Sequence, residues 1–196
     1  RVQAPSNMKR AAQLAQDGKC SQAIPLLQKI VNDYTMLQWD AVAGKYLVNC
    51  YMETGDAKQA ASVGNKIVRS NPKAAYQADF APPYWEALVE TEQFAKLRDM
   101  LEKAAELGDR ELAAVAQVRR GDMLRKREKY EEALVDGYLR TAYFFRQVKS
   151  VQPEALYKAA QCFEKLGQHS KAEDMRKRML AEYPNDSYTA RIKAGV

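Results

Sequence analysis

The sequence is poor in the residues that build catalytic and metal centres. Its 196 residues hold one histidine, His169, and three cysteines, Cys20, Cys50 and Cys162, none of them in a CxxC pair. A zinc site needs more His or Cys at ligand spacing, so zinc ribbons and thioredoxin-like motifs are excluded. There is no glycine-rich phosphate loop, no HExxH and no GxSxG. No apolar run approaches the ~20 residues of a membrane-spanning helix. Excess charge is small: Lys and Arg number 31 against 25 Asp and Glu, a net of +6. That balance permits an acidic partner, an anionic surface or nucleic acid, and requires none of them. The lone His169 reads as a solvated residue in a turn, and the cysteines read as buried free thiols among helix formers. The pairs Glu131–Glu132 and Glu90–Glu92 read as solvated helix faces. No catalytic residue, cofactor or metal ligand is expected, so the chain does not read as an enzyme.

What is abundant is helix-forming residues, with a regular punctuation. Ala, Leu, Glu, Lys, Gln and Arg dominate, and long polar–apolar alternation is lacking. Ala23, Ala60, Leu97, Ala133 and Ala172 anchor five similar stretches, spaced 37, 37, 36 and 39 residues apart. Ahead of each anchor runs another helical pattern, such as Leu156, Ala159, Ala160 and Phe163 in the last unit, an apolar stripe on one helix face. Gly18, Gly55 and Gly167 close the first helices, because glycine takes the left-handed conformation at little cost. Pro72 and Pro184 close second helices. Pro25 is expected in the first turn of its helix, Ser170–Glu173 as a capping box, and the third unit's first helix is expected to begin late, near Pro82. The predicted fold is all-α, a right-handed α-solenoid of about five helix–turn–helix repeats in a single domain over 1–196. The repeats span about 6–36, 40–74, 80–109, 112–148 and 153–186, with 187–196 as a cap or the start of another repeat.

These residues resemble the tetratricopeptide repeat family, whose period is 34 residues. The second unit carries the pattern in Leu47, Tyr51, Gly55, Ala60 and Pro72. The fifth carries it in Leu156, Ala160, Phe163, Gly167, Ala172 and Pro184, and the fourth in Gly121, Leu124, Tyr130 and Ala133. The fourth and fifth units are similar to bacterial periplasmic and outer-membrane members. The resemblance implies that first helices line a concave groove that captures a protein or peptide segment. Lys45 and Asn49 fall on that face in the second unit, and Tyr157 and Gln161 in the fifth. Arg119 and Lys158 add cations, completing the expected partner-binding set.

Two aromatic groups read as packing: Tyr138, Tyr143, Phe144 and Phe145 between repeats, and Tyr76, Phe80, Trp85 and Phe94 around the irregular third unit. The basic stretch from Arg119 to Lys129 is a candidate anionic docking patch. The expected function is a non-catalytic scaffold or adaptor for cell-envelope assembly, periplasmic or outer-membrane associated. The alternatives are a cytoplasmic helical-repeat protein that binds RNA through 119–129, and a regulatory module of a larger enzyme. Nucleic acid is the less expected partner, and a homodimer through the repeat ends is expected if those ends are uncapped.

Overall fold

The computed structural model describes residues 6–34 and 39–195. The end of the first predicted repeat, at 36, and Val196 of the tail lie outside them. Among the described residues there is no strand. The helices follow the predicted pairing: α1 (Met8–Gln16) with α2 (Cys20–Asp33), and α3 (Trp39–Glu53) with α4 (Ala57–Ser70). Next come α5 (Ala81–Glu90) and α6 (Phe94–Glu106), then α7 (Arg110–Lys126). The partner of α7 is one interrupted helix, α8 (Tyr130–Ala133), a π-turn (Leu134–Tyr138) and α9 (Leu139–Phe144). Last are α10 (Gln152–Lys165) with α11 (His169–Glu182), and α12 (Ser187–Lys193), which packs on both. Contacts group the chain into two compact units, Arg1–Gln93 and Phe94–Val196, divided in the turn between α5 and α6.

Each of the five anchors is fully buried. In unit 1 the core gathers Leu27, Leu47, Val48, Phe80, Tyr84 and Trp85. Of the aromatic group around the third unit, Phe80 and Trp85 are fully buried packing residues as expected, and Tyr84, which is not in that group, is buried beside them. Gly64 on α4 leaves the space that the Tyr84 ring fills; a Cβ there would lie 2.2 Å from that ring. In unit 2 the core is formed by Val118, Leu134, Tyr138, Leu156, Phe163 and Met179 with their small neighbours.

The turns explain how five unequal sequences reach one geometry. Gly18, Gly55 and Gly167 adopt φ of +70°, +80° and +70°, as expected. At the corresponding third and fourth turns the left-handed residue is glutamate: Glu92 at φ +56° and Glu128 at φ +59°. A Cβ is disfavoured there by roughly 1 kcal/mol. Glu92→Gly and Glu128→Gly should therefore each stabilise the fold by about 0.5–1 kcal/mol, read as a rise in urea midpoint at constant slope. An unchanged or lowered midpoint would show that the glutamate side chains compensate the strain.

Two local expectations are corrected. Helix α2 already begins at Cys20, so Pro25 sits in its second turn, where its missing N–H removes an internal helix bond. Helix α11 begins at His169 with Gln168 as its N-cap, so Ser170 lies inside the first turn and no capping box forms at its hydroxyl. The caps with side-chain bonds are instead aspartates: Asp56, Asp109 and Asp186 accept from the backbone N–H of Gln59, Leu112 and Tyr188. By contrast α5 starts at Ala81 with Pro82 and Pro83 in its first turn, as the sequence requires.

The cysteine reading is also corrected. Cys20 and Cys50 form a disulfide that staples α2 to α3, with Cα atoms 4.9 Å apart. Only Cys162 is a free thiol, buried in α10. Burial pushes its pKa up to about 11, which keeps it protonated and unreactive at neutral pH.

Candidate functional site

In unit 1 the predicted groove residues Lys45 and Asn49 lie on the partly exposed face of α3. Val42, Lys45, Tyr46 and Asn49 follow i, i+3, i+4 and i+7, so they share one stripe. Val42 is exposed, and the other three are half-buried. Lys45 pairs with Asp79 at 2.9 Å, and that carboxylate is itself 66% exposed. An exposed pair of this kind contributes about 0–1 kcal/mol, so a partner's carboxylate can replace Asp79 at little cost. Asn49 donates from Nδ2 to the Lys45 carbonyl at 3.1 Å, which fixes its amide on the helix surface. The Gln16 amide donates to the Tyr46 hydroxyl from the neighbouring pair.

Unit 2 brings the other predicted residues together, in a different state. Arg119 on α7 donates to Glu154 Oε1 on α10 at 2.7 Å and to Asp122 on its own helix. Lys158 on α10 donates to Asp122 at 2.8 Å and to Glu154 at 2.6 Å. Two cations and two carboxylates thus cancel inside a nearly dry layer, where Arg119 and Asp122 are only 6% and 5% exposed. The Tyr138 hydroxyl donates to Asp122 Oδ1 at 2.7 Å. Burial and the Asp122 charge push the Tyr138 pKa far above its ordinary value, so it remains a donor. Gln161 accepts from Arg125 at 3.0 Å. The Tyr157 ring packs on Tyr188 of α12, with ring centres 5.3 Å apart, and is buried.

Buried ions held this tightly are not available to a partner without leaving charges unpaired. Arg119 and Lys158 therefore form a helix-to-helix lock between α7 and α10. Asp122 and Glu154, its acidic half, were not among the residues selected from the sequence. Their signal was the spacing of Arg119–Asp122 at i, i+3 and Glu154–Lys158 at i, i+4.

The basic stretch does not form a free row of cations. Arg119 is buried, Arg125 is committed to Gln161, and Lys129 pairs with Glu132 at 2.9 Å. Among the described residues no group of three or more His, Cys, Asp or Glu is placed to hold a metal ion. Among them, too, no helix is long and apolar enough to cross a membrane.

Stacked helix pairs with buried small anchors and left-handed closing turns define a helical-repeat fold of the tetratricopeptide class. Residues 154–186 match the tetratricopeptide repeat model. The chain is also similar to MamA of AMB-1, with a TM-score of 0.62 at 18% identity over 91% of this chain and 99% of that one. MamA of MSR-1 gives 0.60 at 17% identity, over 88% and 96%. YrrB, described as a TPR protein with an unusual peptide-binding site, gives 0.59 at 19% identity, over 98% and 92%. No curated protein matches the sequence. At these identities the likeness establishes the fold alone.

Proposed function

We propose that the chain is a non-catalytic protein-interaction scaffold of a bacterial cell envelope, holding a partner segment against the partly exposed face of α3. The observation that carries this is the Val42, Lys45, Tyr46 and Asn49 stripe. It offers apolar contact, an exchangeable ammonium and a fixed amide on one rigid helix, which is the chemistry for an extended peptide bearing a carboxylate. The likeness to YrrB, described as peptide-binding, supports the reading at the level of fold. The envelope is supported by the Cys20–Cys50 disulfide, since such bonds persist in oxidising compartments and are rare in the cytosol.

The test has two arms, both on the full chain in its native cells. Alkylation of thiols before fractionation should find Cys20 and Cys50 protected and the protein in the envelope fraction. Reduced thiols in a cytosolic fraction would overturn the envelope assignment. A photo-crosslinker at Val42 should capture a protein partner, and Lys45→Ala with Asn49→Ala should weaken that capture about tenfold, or ~1.4 kcal/mol. Absence of any protein adduct would overturn the scaffold reading.

A further inference from the structure

Two aromatic side chains that the sequence assigns to packing are instead in solvent. Tyr143 is 62% exposed and Phe144 71%, and Val135, one turn before Leu139, is 67% exposed. They line the outer ridge of the α8–π–α9 helix. Beside the ridge, an open groove of about 520 Å³ runs along α11, floored by Leu134, Leu139, Phe163 and Met175. Apolar side chains of this size, grouped on one ridge, are the usual mark of an interaction surface.

The order of charges along the ridge identifies its occupant. Glu131 and Glu132 stand exposed at its start, Val135, Leu139, Tyr143 and Phe144 follow with Arg140 among them, and Arg146 stands exposed in the turn just beyond α9. Turning a second such helix antiparallel about Leu139 places Val135 against Tyr143 and Glu132 against Arg146, twice over. A surface that is acidic at one end, apolar in the centre and basic at the other is its own complement under a two-fold axis. Another protein would need only one half of this pattern to be favourable. We infer that a second copy of this chain docks on the α8–π–α9 ridge in an antiparallel, two-fold symmetric dimer.

The existing partners of these charges do not stand in the way. Lys129–Glu132 and Arg146–Glu182 are exposed pairs, with Arg146 at 62% exposure, and exchange at little cost. The ridge belongs to unit 2 and shares no residue with the α3 stripe. It differs from end-to-end pairing as well, because α12 covers α10 and α11 at the end of unit 2.

Sedimentation equilibrium of the full chain tests this. A monomer–dimer equilibrium is expected, with a dissociation constant on the order of 100 µM, in keeping with a small interface. Glu132→Arg and Arg146→Glu should each weaken the homodimer at least about tenfold, by setting like charges together. An equimolar mixture of the two variants should associate again, since each copy then supplies what the other lacks. The double variant E132R/R146E should dimerise on its own. Tyr143→Ala with Phe144→Ala should abolish association while lowering the thermal midpoint by only a few degrees, because both rings are mostly in solvent and their contacts are Arg178 over Tyr143 and Arg140 over Phe144. A chain that stays monomeric into the millimolar range would overturn the proposal. So would a dimer insensitive to these changes, or charge variants that fail to recombine.

Discussion

Gly137→Ala should lower the stability of the chain by about 4 kcal/mol, read as a fall of roughly 8–16 °C in its thermal midpoint. The cause is a backbone-to-backbone crossing. A Cβ on Gly137 would stand 2.4 Å from Gly121 Cα and 2.8 Å from Gly121 N on α7. Neither atom can rotate away, so the helices must part. Parting them also disturbs Tyr138, the next residue, whose ring lies where a Cβ on Gly121 would be, at 2.7 Å. That ring is held by its hydrogen bond to Asp122 and is fully buried. Alanine is a better helix former than glycine by about 1 kcal/mol, which offsets only part of the loss.

Gly44→Ala is the matched control. Its Cβ would meet Ile67 Cδ1 at 2.1 Å, the far end of a flexible side chain that can change rotamer. That variant should stay within about 1 kcal/mol of the parent. Equal losses at both sites would mean that helix separation, and not the Gly121–Gly137 contact, is the softer coordinate.

The same crossing shows why part of the fold was legible in the sequence and part was not. Small anchors and apolar stripes are local and periodic, so the succession of helices could be read directly. The turns at Gly18, Gly55 and Gly167 announced themselves, because glycine marks the left-handed conformation. Those at Glu92 and Glu128 did not, since glutamate carries no such signal and is held there by the helices on either side. The spacing of 39 between Ala133 and Ala172 was visible as the widest of the four. Its partial cause, a π-turn that adds a residue within Leu134–Tyr138, was not visible.

That insertion bears on the aromatic misreading as well. Tyr138, Tyr143 and Phe144 have helical spacing, but Tyr138 is buried while Tyr143 and Phe144 are in solvent. Periodicity reports which residues share a face; it does not report whether another element covers that face. The disulfide escaped for a related reason. A separation of 30 residues says nothing about adjacency until α2 and α3 are packed together. At the site, residue type pointed to cations on first helices; Lys45, Arg119 and Lys158 lie on α3, α7 and α10. Whether a cation faces solvent or a buried carboxylate depends on the neighbouring helix, and this divides Lys45 from Arg119 and Lys158.

The buried network makes the last prediction, and it concerns both stability and pH. Asp122→Ala should cost about 4 kcal/mol at neutral pH, as expected when one member of a buried ion cluster is removed. The loss is not that of a single contact. Arg119 and Lys158 would retain their charges in the same dry layer, facing Glu154 alone, and the Tyr138 hydroxyl would lose its acceptor. Asp122→Asn should cost nearly as much, because the amide restores volume but not the negative charge. In the parent, burial alone would raise the Asp122 pKa, but Lys158 and Arg119 overcome that and hold it far below the usual carboxylate range. Glu154 is lowered in the same way, with burial opposed by Arg119 and Lys158. Both groups bind protons more weakly in the folded chain than in the unfolded one. Their stabilisation is therefore complete above the ordinary carboxylate range, near pH 5, and is lost as the pH falls towards the lowered folded values. Urea midpoints of the parent and of Asp122→Asn should differ most between pH 6 and 8 and converge as the pH drops below about 4. A gap that stays constant across that range would show that Asp122 contributes through shape and hydrogen bonding alone, and that the lock between α7 and α10 is not electrostatic.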